Sequence, residues 1–123
     1  MGKIIGFLSA FIFATLLTAP LARADAKKGE DLFNNKSATK CLVCHAIGKK
    51  VVGPDLAGTS KKHTKAWLVK WISKAQDAWK SDDPETVALK KSVHKETAPK
   101  PAHAPPPLTD EQASDLADFL MTK

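Results

Sequence analysis

The sequence predicts a small all-α domain. Two observations predict it. No stretch shows the strict apolar–polar alternation of a half-buried strand. Four stretches carry helical spacing, helix caps or both.

The elements follow in order. Asp25 can cap a helix over roughly residues 26–35, with Gly29, Leu32 and Phe33 on one side. Gly29 costs such a helix about 1 kcal/mol relative to Ala, so its place there points to close packing. Thr64 can cap a second helix, in which Trp67, Leu68, Trp71 and Ile72 recur at helical spacing. A weaker stretch follows Pro84, through Val87 and Leu89. The last is the clearest: Thr109-Asp110-Glu111-Gln112 is a capping box with acids in the first turn. Ala113, Leu116, Ala117 and Leu120 form its apolar stripe, with Phe119 beside it. Between Ala98 and Pro107 lie five prolines, which predict an extended, polyproline-like link. There is no internal repeat.

The amino terminus carries an export pattern. Lys3 precedes an uncharged run from Ile4 to Ala22, Pro20 interrupts it, and Ala22-Arg23-Ala24 has the small-x-small form of a signal peptidase site. The expectation is a signal peptide over 1–24 and a working domain over 25–123 in the periplasm. The rival is a retained membrane anchor, since the apolar run is near the minimum for a spanning helix. Without Lys3 and Arg23 the 19 basic residues become 17 lysines, and against 13 acidic residues the net charge is +4. That balance suits a solvated surface or one that steers toward an acidic partner. Nucleic acid is not expected as a partner: the domain has no arginine, the usual reader of bases.

The only two cysteines lie in Cys41-Leu42-Val43-Cys44-His45. A disulfide across two residues would close a strained ring and staple little chain. A thioredoxin-like redox pair wants a βαβ context, and a structural zinc site wants more thiolate or imidazole ligands. The remaining reading is covalent haem attachment. The two thiols add to the two vinyl groups, and His45 follows where its ring reaches the iron as an axial ligand.

With these residues in view, the chain resembles the class I monohaem c-type cytochromes. The resemblance rests on Gly29 and Phe33, on CLVCH at 41–45, on Gly53-Pro54-Asp55-Leu56, and on LTDEQASDLADFL at 108–120. It implies one covalent haem c wrapped in an all-α fold, with the first and last helices crossing where Gly29 and Phe33 meet Phe119. It also implies that the Pro54 carbonyl accepts the His45 Nδ1 proton, with Leu56 in the same haem-contacting motif. Trp67 is the candidate to reach a haem propionate through its indole N–H. Trp79 is expected to be partly exposed, and His63 to lie at the surface.

The sixth iron ligand departs from the family pattern. Such cytochromes place a methionine on the loop before the last helix, but the only methionine after the export segment is Met121, the third residue from the end. Using it would unwind the last helix. His103, in KPAHAPPPLTD, stands near where the methionine is expected, and its prolines reduce the entropy lost on fixing a ligand. His94, in SVHKET, is the alternative. Two imidazoles would leave the haem at a lower potential than a His/Met pair.

Two functional classes follow. One is an electron carrier cycling between Fe(II) and Fe(III), with Lys40, Lys49, Lys50, Lys61 and Lys62 as candidates for a docking face toward acidic redox partners. The other is a haem protein whose vacant or labile sixth position binds CO, NO or peroxide. Membership of a larger complex is a third possibility, differing in partners rather than chemistry.

Overall fold

The computed structural model describes residues 21–103 and 107–123, with side chains from Asp25 onward. The expectations for residues 1–20 and for Pro105 and Pro106 lie outside the described residues. Seven helices and no strand occur among the described residues: α1 (Leu21–Asn34), α2 (Cys41–Cys44), α3 (Thr59–Lys62), α4 (Lys65–Ser73), α5 (Ala75–Lys80), α6 (Pro84–Ser92) and α7 (Asp110–Leu120). The all-α class holds, but three of these helices were not expected from the pattern. α2 and α3 are single turns, too short to show a period. α5 follows Lys74, whose φ of −140° and lack of a side-chain cap give no start signal.

The other starts follow their caps. Thr64 accepts from the Trp67 amide to open α4, and Asp83 accepts from the amides of Glu85 and Thr86 to open α6. Thr109 and Gln112 bond reciprocally across the first turn of α7. Asp25 does not cap: α1 begins four residues earlier and carries Asp25 inside it.

The core forms where α7 packs on both α1 and α4. Phe33, Trp67, Leu68, Ile72, Ala113, Leu116, Ala117, Phe119 and Leu120 bury together. A cap contributes about 1 kcal/mol. Burying each large side chain of α7 contributes about 1.5–3 kcal/mol, so packing rather than capping holds that helix in place. The α1–α7 crossing depends on Gly29. A Cβ there would overlap the Asp115 carbonyl and come within 2.9 Å of the Phe119 Cβ. With no side chain in the way, the Phe33 and Phe119 rings meet at 5.4 Å between centroids. The surface pairs Lys65–Asp118 and Lys28–Glu111 lie on the same helices. As exposed pairs they add little.

α6 is tied to the start of α4 by one carboxylate. Glu85 accepts from the Thr64 amide at 2.9 Å and the Thr64 hydroxyl at 2.8 Å, and pairs with His63 Nδ1 at 3.2 Å. After α6 the chain passes His94, turns, and is fastened at Ala98, whose carbonyl accepts the Trp79 indole N–H at 2.8 Å. Trp79 is therefore buried, not partly exposed, because its N–H holds this return segment.

Candidate haem-attachment site

The site is built around one turn of helix and one loop. Lys40, at φ 55°, turns the chain into α2, which carries Cys41 and Cys44 one helical turn apart. Both are free thiols and half-buried. His45 follows in extended conformation. The next segment folds back over it: the Gly53 amide donates to the Cys44 carbonyl at 2.6 Å, and the Leu56 amide to the Ala46 carbonyl at 3.2 Å. Asp55 Oδ1 accepts from the Gly48 and Ala57 amides, both at 2.8 Å. The Ala57 N–H, above all, lowers the carboxyl pKa.

This bracing presents the Pro54 carbonyl to His45 Nδ1 at 3.0 Å. A carbonyl only accepts, so Nδ1 carries the proton and Nε2 keeps its lone pair for a metal. Gly53 makes the approach possible. A Cβ there would run into the His45 ring, within 2.8 Å of Nδ1 and 2.9 Å of Nε2. Leu56 packs half-buried against the edge of the core.

Of the sixth-ligand candidates, the ring standing beside His45 is that of His103. Their centroids are 6.2 Å apart and their planes 67° from parallel. A metal sits about 2.0–2.1 Å from an imidazole nitrogen, and the ring centre lies roughly 1.2 Å behind it, so two rings on opposite sides of one ion stand roughly 6–6.5 Å apart. Burial, and then the neighbouring His45, push the His103 pKa down to about 4, which keeps the imidazole neutral. Its Nδ1 is buried without a partner among the described residues. His94 is instead exposed, at φ 54°. Met121 closes α7, its amide bonded to the Ala117 carbonyl and its side chain against the core. Two thiols, an oriented imidazole and a neutral facing imidazole fit a covalently held haem. Val43, Ile47, Val51 and Val52 also leave apolar surface exposed on and after the motif.

Two sequence expectations change here. Trp67 does not have a free N–H for a propionate: it donates to the buried Thr86 hydroxyl at 2.9 Å. His63 is not a loose surface residue. It is half-buried, stacked on Trp67 at 4.2 Å and paired with Glu85, and burial lowers its pKa. Sequence reading passed over Trp71, which stacks on His103 at 5.1 Å. Its helical spacing marked it only as core. The Lys61, Lys62 and Glu85 side chains line a surface hollow with His63.

A family model described as cytochrome c matches residues 26–123. The comparisons with curated proteins and with solved structures returned no match.

Replacing Gly53 with Ala should push the His45 ring off the Pro54 carbonyl. Losing such an orienting bond typically weakens metal ligation by about 10–100-fold. In the haem-loaded protein this should appear as a growing high-spin fraction in the oxidised absorption spectrum; an unchanged spectrum would rule out this role for Gly53.

Proposed function

The chain belongs to the cytochrome c family, and on that footing we propose that it is an exported electron carrier with bis-histidine iron ligation. Haem c, held through Cys41 and Cys44, supplies an iron that gains and loses one electron. The protein's residues do the rest. His45 is oriented by the Pro54 carbonyl, and a second neutral imidazole keeps the coordination unchanged between oxidation states, so little reorganises when the electron moves. The observation that carries this reading is the facing pair of His45 and His103, with centroids 6.2 Å apart beside the thiols. Export rests on the pattern from Lys3 to Ala24. An acidic redox partner rests on the lysines at 40, 49 and 50 beside the exposed valines of the motif and loop.

One observation favours the second reading, a labile sixth site that binds small ligands. His45 has a hydrogen bond behind its ring and His103 has none among the described residues.

Four measurements test these statements. His103→Ala should turn a low-spin oxidised spectrum high-spin, whereas an Fe–S(Met) charge-transfer band in the wild type would exclude the bis-histidine reading. Carbon monoxide added to the reduced wild type should cause no fast spectral change in a carrier, and a fast one in a ligand binder. The mature protein should have the mass of residues 25–123 plus one haem, and its association with an acidic redox partner should weaken as salt rises through the range where the screening length falls from ~30 to ~10 Å. Salt-independent association would argue against lysine docking.

A further inference from the structure

We propose that Trp71 is the positioning residue of the sixth ligand: a column of stacked rings fixes the plane of His103, as a hydrogen bond fixes that of His45. This rests on the bis-histidine reading. A metal-bound imidazole usually donates its second N–H to a carbonyl or carboxylate, which sets the ring's rotation. His45 does this through Pro54. The buried Nδ1 of His103 has no such partner among the described residues, so its rotation must be set otherwise.

The Trp71 ring lies against His103, 5.1 Å between centroids and 13° from parallel. On its other side Trp71 stacks on Trp67 at 5.4 Å and 8°, and Trp67 stacks on His63 at 4.2 Å and 12°. All three spacings are near or within the range of offset-stacked rings. The far end of the column is pinned twice, by the Trp67 N–H on the Thr86 hydroxyl and by His63 on Glu85. The backbone before His103 is held by the neighbouring Trp79 through Ala98. The ring and the segment that carries it are thus both located by tryptophans.

The fixed rotation has an electronic effect. Were both imidazoles to hold a haem iron, each would interact through its π orbital with one of the two iron d orbitals that point between the haem nitrogens. Parallel rings would act on the same orbital and split the pair. Rings crossed at an angle as large as the 67° between His45 and His103 would act on both and keep them close in energy. Oxidised low-spin iron would then keep much of its orbital moment, and its paramagnetic resonance spectrum would be dominated by one feature at very large g. Rings free to align give a spread three-line spectrum instead.

The test uses the haem-loaded protein as wild type, Trp71→Leu, Trp71→Phe and Thr86→Val. Paramagnetic resonance is recorded on the oxidised form and CO binding on the reduced form. The wild type should show the single large-g feature. Trp71→Leu should replace it with the three-line spectrum and raise the CO-accessible fraction roughly two- to twelvefold, the range expected for losing one aromatic stack. Trp71→Phe keeps a ring and should retain most of the wild-type behaviour. Thr86→Val keeps every ring but frees the anchor of the column, and should shift both readouts the same way by less. The proposal is overturned if Trp71→Leu moves neither readout, or if Trp71→Phe is as defective as Trp71→Leu. His103→Ala separates the two levels. If it leaves the oxidised spectrum unchanged, the bis-histidine reading itself fails. If it changes the spectrum while Trp71→Leu does not, only the role of Trp71 fails.

Discussion

The hydrogen bond from His45 Nδ1 to the Pro54 carbonyl is the constraint on which the site depends. It fixes which ring nitrogen carries the proton and so which can face a metal. Little of the loop from Gly48 to Ala57 makes sense without it. The Gly53 amide is turned onto the carbonyl of Cys44, Asp55 gathers two amides, and position 53 has no side chain because the imidazole fills that space. A motif of five residues supplies the thiols and the imidazole, but a second segment eight to ten residues later sets which nitrogen of that imidazole carries the proton.

Two parts of the fold supply the frame. The crossing of α1 and α7 over Gly29 closes the core from one side. From the other, α4 and α6 hold a row of rings pinned at one end by a buried threonine and a carboxylate. The first arrangement is held mainly by apolar burial, which is strong but not directional. The second is polar at one end and aromatic along its length, and therefore directional. The proline-bearing arm with His103 lies against the directional part.

What could be read from the sequence divides along the same line. The caps at Thr64 and Thr109 and the apolar stripe of α7 are local patterns, and each corresponds to an observed element. The family resemblance anticipated the Pro54 contact and the Gly29 crossing. The partners of the tryptophans were not legible. Trp67 has the same spacing whether its N–H meets a propionate or Thr86, and the choice depends on α6 lying across it, a contact between residues 19 positions apart. Trp79 sits among polar neighbours in the chain, yet a carbonyl from the return segment buries it. His63 looked exposed because its pairing with Glu85 spans 22 positions. Short helices such as α2 and α3 give too few turns for a period to emerge. Local chemistry could be read from the sequence, but side-chain orientation set by distant segments could not.

The pairing of α1 with α7 also bears on the order in which the protein is assembled. The helices that close the core come from opposite ends of the domain, while the thiols and His45 lie soon after the first. A chain made from its amino end exposes CLVCH well before α7 exists. Roughly 65 residues separate His45 from the start of α7, and this order holds whether the chain emerges from the ribosome or from an export channel. Throughout that interval the Phe33 ring has no Phe119 to meet and His45 has no His103 facing it. The fold thus leaves a period in which a bulky planar group can reach the cysteines from an open side, and it ends when the last helix docks.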